Sequence, residues 1–176
     1  MLSEDLMLLL IDEVAGGVRV DAASADHALA GAALLDQVRS GLVPEPARPH
    51  KAVAKLRRHV RRDVMARLEA RGVLTVERTK VLGIFSVRTH VLHRPDDVRE
   101  VRRSVGDVAL GHAAPDERTR ALISLLYAVR VLHKVFDGDK REMNARAKEI
   151  ARGEWAGEAV KKAVRARRAA AAAASS

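Results

Sequence analysis

Cysteine is absent from this 176-residue chain, and aromatic side chains make up only 2% of it. Without cysteine there is no disulfide, no thiolate metal site and no cysteine nucleophile, and the composition fits a reducing cytoplasm. With so few aromatics, the core must be built from Leu, Val, Ile and Ala, which suit close-packed helices better than a large sheet. The length suffices for one ordinary core. We therefore expect one mainly helical domain.

Long apolar runs are also missing. The longest one, residues 6–11, is flanked by acidic residues on both sides. It is too short to cross a bilayer, and it lacks the positive flank of a signal peptide. We therefore expect a cytoplasmic protein whose membrane contact, if it has one, is peripheral and at the inner face of the membrane.

Signatures of catalysis are missing as well. The chain contains no dinucleotide-binding glycine pattern, Walker motif, zinc-protease motif, nucleophile elbow or kinase motif. Its seven histidines are scattered, and the closest pair, His90 and His93, has no third ligand nearby in the sequence. Asp137-Gly138-Asp139 begins like a calcium loop but lacks the later ligands. The sequence predicts a binding protein that needs no metal or cofactor, not an enzyme.

What the sequence has in excess is positive charge, with a formal net charge of +9 that is unevenly placed. Residues 1–46 contain eight acids and two arginines, whereas residues 51–71 contain eight bases and two acids. Charges segregated in this way can create an oriented field that attracts polyanions. The alternative is that the two segments form solvated faces whose charges cancel in the fold.

Caps and apolar periodicity predict the helices. The first begins at Ser3 and stops at Gly16-Gly17, the second runs from about Asp21 to Ser40, and the third from about Lys51 to Arg71. Small residues around Gly31 should let another helix approach the second one closely. Two strands, 73–76 and 81–85, are expected around a turn at 78–80. Later helices are expected at 96–110, 115–136, 140–152 and from 155 onward.

The predicted fold class is therefore all-α, a single-domain helical bundle of about six to seven helices with one small β-hairpin. The domain spans residues 1–165, and an Ala-rich tail that frays, 166–176, follows it. Within the domain, the apolar stretch that follows the start signal at 115–119 is the expected central core helix. It ends near Phe136.

Four arginines of the third predicted helix form the one constellation with a positive functional signal. Arg57 and Arg61, and likewise Arg58 and Arg62, stand one helical turn apart on the flank away from the apolar stripe. Neighbouring guanidinium groups repel each other, so a bound polyanion would stabilise them, and phosphate suits the planar fork of arginine. A solvated face neutralised by neighbouring carboxylates remains the alternative.

Three kinds of partner fit this pattern. One is an anionic phospholipid membrane surface. A second is nucleic acid, since a helix followed by a hairpin is also the shape of a winged-helix DNA binder. However, the Pro-rich connector ahead of the helix and the scarcity of Asn and Gln (Gln37 and Asn144 only) argue against base reading. A third is a protein that docks around Gly31 or on the acidic N-terminal third.

Four segments, in this order along the chain, resemble the Golgi phosphoprotein 3 family. They are Leu6-Met7-Leu8-Leu9, the stretch Ala28-Leu29-Ala30-Gly31-Ala32-Ala33-Leu34-Leu35, the stretch Arg67-Leu68-Glu69-Ala70-Arg71-Gly72-Val73-Leu74, and Pro115-Asp116-Glu117-Arg118-Thr119 continuing to Leu125-Leu126. The resemblance covers roughly residues 1–41 and 53–165, and the chain looks like a shortened bacterial, in particular actinobacterial, member. It implies a mainly helical peripheral membrane protein that binds phosphatidylinositol 4-phosphate. Eukaryotic members also hold glycosyltransferase tails at the Golgi.

The same resemblance assigns residues to the site. It implies that Arg58 and Arg61, spaced Arg-x-x-Arg, are the primary contacts of the headgroup phosphate, with Arg57 and Arg62 as supporting charges. The family pocket also uses a tryptophan and a third arginine, and the corresponding residues here are Asp21 and Ala30. Eukaryotic members carry a membrane-entering hairpin between the second helix and the Arg-bearing helix. This chain has only the Pro-rich connector 42–50 there.

Overall fold

The computed structural model describes residues 1–81 and 85–174, and this part of the chain forms nine helices and one two-stranded antiparallel sheet. The elements are α1 (Leu2–Leu10), α2 (Ala22–Arg39), α3 (Pro49–Leu56), α4 (Val60–Ala70), β1 (Leu74–Val81), β2 (Phe85–Leu92), α5 (Pro95–Leu110), α6 (Glu117–Ala128), α7 (Leu132–Val135), α8 (Lys140–Ile150) and α9 (Trp155–Ala173). The predicted all-α class with one small hairpin is confirmed. None of the described helices combines the length and the apolar character needed to span a bilayer.

Side-chain caps fix where two of the longer helices begin. The Asp21 carboxylate accepts the backbone N–H of Ser24 at 2.9 Å ahead of α2, and Asp116 accepts that of Thr119 at 2.7 Å ahead of α6. Both starts were predicted, because a short acceptor side chain satisfies a backbone donor that a helix leaves free. The prediction for Ser3 is wrong. Ser3 lies inside α1, and its hydroxyl donates to Asp36 at 2.8 Å.

Helix α6 lies at the centre of the core, as its sequence predicted. Leu122, Ile123, Leu125 and Leu126 are all fully buried, and α6 contacts α1, α2, α5, α7, α8 and α9. A run of branched aliphatic side chains can be buried on every face only if neighbours surround the helix. Aliphatic side chains packed between helices therefore form the core in place of aromatic ones.

The small residues of α2 allow the close approach that was expected. A Cβ atom on Gly31 would lie 2.7 Å from Leu125 Cδ2, and closer still to Val160 Cγ2, so α6 and α9 both press against this point. Such distances are below van der Waals contact. The hypothesis that a protein partner docks around Gly31 is therefore wrong, because this face of α2 is already buried inside the protein.

The single helix predicted from Lys51 to Arg71 is wrong, because a turn at residues 57–59 divides it into α3 and α4. The apolar stripe nevertheless continues across the turn, and Val53, Val64 and Leu68 are buried on both sides of it. The helix predicted to run to Phe136 is interrupted in the same way between α6 and α7. In both places the periodicity predicted burial correctly and helical continuity incorrectly.

The hairpin is longer than predicted, and its register differs. Leu74 pairs with Leu92 and Val81 with Phe85, so residues 78–80, predicted as the turn, lie within β1. None of those three residue types requires the positive φ of a tight turn, so the sequence alone does not exclude an extended conformation. Of the second predicted strand, 81–85, residues 82–84 lie outside the described residues.

The acidic N-terminal segment and the basic segment 51–71 pair with each other. The Glu4 carboxylate, 4% exposed, bonds with Arg67 at 3.3 Å and also with Arg71, and Asp26 bonds with Arg61 at 2.7 Å. These bridges join α1 and α2 to α4. Part of the charge segregation seen in the sequence is therefore neutralised within the fold, so it does not all act on external ligands.

Candidate anion-binding site

The four predicted arginines lie at the junction of α3 and α4. Arg57 and Arg58 occupy the turn between the helices, whereas Arg61 and Arg62 belong to the first turn of α4. They therefore do not form two ridges on one continuous helix. Arg58, Arg61 and Arg62 line one cavity of about 700 Å³, and Arg57 is not among its lining residues.

The cavity is closed on its other side by the hairpin and by the loop between α1 and α2. Gly17 and Val18 of that loop line it, together with Val76 of β1 and His90 of β2. The loop is folded back on itself by Asp12, whose carboxylate accepts the backbone N–H of Ala15 and of Val14, each at 3.0 Å. The bond from Ala15 contributes most, and the two bonds together lower the pKa of the Asp12 carboxyl.

A glycine and a histidine attach this loop to the hairpin. The carbonyl oxygen of Gly16 accepts the backbone N–H of His90 at 2.8 Å, and the His90 ring Nδ1 lies 2.7 Å from the same oxygen, so Nδ1 is the protonated donor. Gly16 has φ +64°, and a Cβ there would lie 3.3 Å from His90 N and closer still to Thr89. Only glycine combines this backbone conformation with so close an approach.

His90 therefore has a structural role in place of the metal role considered from the sequence. His93, its candidate partner, instead has Nε2 3.1 Å from the Thr75 hydroxyl. Over residues 1–81 and 85–174 there is no group of three or more side chains that could hold a metal ion.

Arg61 is held by the first turns of α2. Its Nε donates to Asp26 Oδ1 at 2.9 Å, its Nη2 lies 2.7 Å from the same oxygen, and Nη2 also donates to the Ala22 carbonyl. The side chain remains about one-third exposed, at 33%. Arg61 is thus rigidly placed at the cavity, but part of its charge is balanced by Asp26.

Arg58 has the freest charge of the three. It is exposed, and it makes no ion pair within the described part of the chain. Arg62 bonds with the adjacent Asp63 at 3.2 Å, but with exposures of 75% and 51% this pair is weak in water. Arg58 is therefore the one of these three arginines whose charge is not balanced by a carboxylate of the described residues.

One carboxylate lines the cavity, and its role is structural. Glu69 Oε1 accepts the backbone N–H of Val76 at 3.1 Å, which ties the hairpin to α4. Sequence reasoning had treated this acid as a possible neutraliser of the arginines. It missed His90 and Glu69 as lining residues, and Gly16 as the residue that attaches the loop to the hairpin, because their proximity depends on the hairpin register and on a loop contact far away in the sequence.

Arg58 also borders a second, mainly apolar cavity of about 640 Å³. This cavity lies between α2, the connector, α3 and α4. Its apolar lining residues include Leu34, Val43, Pro44, Pro46, Leu56 and Val60. Arg58 therefore stands at the boundary between a cavity rich in guanidinium groups and one rich in aliphatic groups.

Asp21 and Ala30, which the resemblance aligns with a tryptophan and a third arginine of the family pocket, differ in their surroundings. Asp21 caps α2 directly beside Ala22, whose carbonyl accepts Arg61, so this position adjoins the site. Ala30 is fully buried in the core. At the first position the chain places a carboxylate, which repels phosphate, and at the second it has no polar group.

A comparison with known protein families gives a match. The family model described as Golgi phosphoprotein 3 (GPP34) matches residues 34–167, which include α3, α4, the hairpin and all four arginines. The N-terminal motif Leu6–Leu9, Asp21 and residues 28–33 of the second motif lie outside the matched stretch. No curated protein matches the chain.

Proposed function

The chain belongs to the Golgi phosphoprotein 3 (GPP34) family, and on that premise we propose that it binds the headgroup of an anionic phospholipid, of the phosphatidylinositol 4-phosphate type, at a membrane surface. Arg58 and Arg61 are the primary contacts of the phosphate. Arg62 adds charge at the rim of the same cavity, and Arg57 contributes from outside it. The activity is binding without catalysis.

The position of Arg58 is the observation that carries this proposal. This arginine has no carboxylate partner in the described structure, and it borders both the 700 Å³ cavity with two further arginines and the 640 Å³ cavity with aliphatic walls. A ligand with a phosphorylated head and an apolar tail matches both environments. A free phosphate or a nucleic-acid backbone would match only the first.

Arg61 and Arg62 support capture in different ways. Because Asp26 and Ala22 hold the Arg61 guanidinium in place, little conformational entropy is lost when it contacts a phosphate. Arg62 is 75% exposed, so it strengthens the attraction at longer range. Capture is mainly electrostatic, and the affinity should fall as salt rises.

Nucleic-acid binding is supported less well by the same elements. Helix α4 does precede the hairpin, as in a winged helix, but its exposed residues include Asp63 and Glu69 as well as Arg62. Carboxylates on that face repel a phosphate backbone. A duplex would also leave the apolar cavity beside Arg58 unused.

Vesicle co-sedimentation tests the proposal. The protein is mixed with vesicles of phosphatidylcholine alone, with added phosphatidylglycerol, or with added phosphatidylinositol 4-phosphate. We expect pelleting in the order phosphoinositide, phosphatidylglycerol, neutral, and we expect Arg58→Ala to weaken phosphoinositide binding about tenfold, since it removes a charge-assisted hydrogen bond.

Two variants serve as matched controls. Arg57→Ala removes the same charge one residue away but outside the cavity, so we expect a loss of about twofold from long-range attraction alone. Lys148→Ala, on the exposed face of α8, should bind as the wild type does. Equal pelleting with neutral vesicles, or an Arg58→Ala protein that binds as well as the wild type, would refute the proposal. A gel shift of duplex DNA that depends on Arg58, without lipid preference, would favour the nucleic-acid alternative.

A further inference from the structure

A second basic cavity lies at the other end of the family-matched stretch, where α6, α7, α8 and α9 meet. Its volume is about 510 Å³, within the range of small-molecule sites. Six basic side chains line it, along with the neutral polar groups of Tyr127 and Asn144, and no carboxylate is among its lining residues. The six are Arg130, His133, Lys140, Lys161, Arg165 and Arg168.

Most of this charge is uncompensated. Lys161 lies 3.4 Å from Glu158, but within the described part of the chain Arg130, Lys140, Arg165 and Arg168 make no ion pair. Like charges gathered around a concave surface repel each other more strongly than on an open one, because fewer water molecules screen them. A bound anion would relieve this repulsion.

The pKa of His133 reflects the same positive charge. Its pKa is lowered by burial first, and then by the nearby charges of Lys140 and Lys134. No carboxylate contributes in the opposite direction. Two lysines and no acid therefore act on this exposed imidazole.

The backbone conformation at Arg130 is a separate observation that points to a function of this side chain. Helix α6 ends with bonds from Arg130 N to Tyr127 O at 3.0 Å and from Val131 N to Leu126 O at 3.1 Å, and Arg130 has φ +63°. This is the helix ending in which glycine is strongly preferred, because a Cβ is strained at positive φ.

Three other helices end with the same pair of backbone bonds, and in each of them a glycine occupies the corresponding position. These are α2 with Gly41, α4 with Gly72 and α5 with Gly111. Only α6, among the helices described, places a side chain there. That side chain is a guanidinium at the wall of the basic cavity.

We propose that the cavity between α6, α7, α8 and α9 is a second binding site, and that its ligand is a compact molecule carrying two or more phosphoryl groups. Several separated cations suit several phosphoryl groups better than a single one, and Arg130, Arg165 and Arg168 offer planar forks for bidentate bonds. The ligand is either a soluble polyphosphorylated metabolite or the phosphorylated headgroup of a lipid. This site is independent of the cavity at Arg58.

Isothermal titration with inorganic tripolyphosphate tests the proposal. We use the Arg58→Ala protein as the background so that the first cavity contributes less, and inorganic phosphate and sulfate as comparison ions. We expect saturable binding of tripolyphosphate, weaker binding of the two comparison ions, and a further loss of about tenfold on adding Arg130→Gly.

Arg130→Gly is an informative variant because glycine suits the backbone at this position better than arginine does. The variant should unfold at the same or a higher temperature, so that a loss of binding cannot be attributed to misfolding. Arg168→Ala should weaken binding as well, and Lys148→Ala, on α8 but outside the cavity, should not.

Three results would overturn the proposal. One is tripolyphosphate binding that Arg130→Gly leaves unchanged, and another is an equal loss in Lys148→Ala, which would mean diffuse attraction. The third is single-stranded DNA that binds more tightly than tripolyphosphate and is insensitive to Arg130→Gly. If the site is supported, the source of the ligand follows from competition: vesicles with phosphatidylinositol 4-phosphate displace tripolyphosphate if the ligand is a lipid headgroup and do not if it is soluble.

Discussion

At the scale of single residues, the two arginines that resemble the family's headgroup contacts have different surroundings. Arg61 bonds with Asp26 and with the Ala22 carbonyl, so it contributes to the fold as well as to the cavity. Arg58 is exposed and makes no ion pair in the described structure. The resemblance to the family's Arg-x-x-Arg pattern implied that both are site residues. It could not predict the Asp26 bond, because that bond joins residues 35 positions apart in the sequence.

Because of this difference, we expect Arg61→Ala to affect both stability and binding, and Arg58→Ala to affect binding but hardly stability. Arg61→Ala should lower the free energy of unfolding by about 1 kcal/mol, the upper range for a partly exposed ion pair, whereas Arg58→Ala should change it by less than about 0.5 kcal/mol. Urea denaturation followed by circular dichroism measures both values. Asp26→Ala and the double variant complete a cycle that isolates the Asp26–Arg61 interaction. An Arg58→Ala protein as destabilised as the Arg61→Ala protein would contradict the view that only Arg61 contributes to the fold.

At the scale of helices and strands, the sequence predicted which residues are buried better than it predicted where elements break. Val53, Val64 and Leu68 keep a helical spacing across the turn at residues 57–59, so the apolar pattern runs through the break without a gap. No glycine or proline marks that turn. The start signals at Asp21 and Asp116 were reliable because a cap acts within three residues, whereas breaks inside a periodic stretch depend on tertiary packing.

The close contact of α2 with α6 and α9 supplies a prediction at this scale. Gly31→Ala adds only a methyl group and raises helix propensity by about 1 kcal/mol, yet we expect a net loss of about 1–2 kcal/mol in stability. The reason is that the new Cβ would overlap Val160 and Leu125 in the core.

Thermal unfolding compared between Gly31→Ala and Gly17→Ala measures this effect. Gly17, in the loop between α1 and α2, is a control for the added methyl group alone, because a Cβ there would have nothing within 4 Å. Gly17→Ala should melt close to the wild type. A Gly31→Ala protein that melts at or above the wild-type temperature would mean that the three helices are less tightly packed than described.

At the scale of the whole molecule, the charge asymmetry of the sequence has two outcomes. The acids of α1 and α2 pair with Arg61, Arg67 and Arg71 of the basic segment, so this part of the asymmetry holds the fold together. Part of the remaining positive charge lies around the cavity at Arg58 and around the cavity at Arg130. Counting charges along the chain indicated the first of these sites. It missed the second, whose basic residues come from separate stretches between 130 and 168.

The central claim is that the cavity containing Arg58 binds a phosphorylated headgroup, and titration with soluble inositol 1,4-bisphosphate tests it most directly. The arginine Nε–Hε resonances of the ¹⁵N-labelled protein report which guanidinium groups bind. We predict a saturable shift that is largest for Arg58, with smaller shifts for Arg61 and Arg62, and in the Arg58→Ala protein we expect the Arg61 and Arg62 shifts to saturate at an about tenfold higher concentration. If these three resonances remain unmoved while those of Arg130, Arg165 and Arg168 saturate, the headgroup binds in the other cavity and the claim is contradicted.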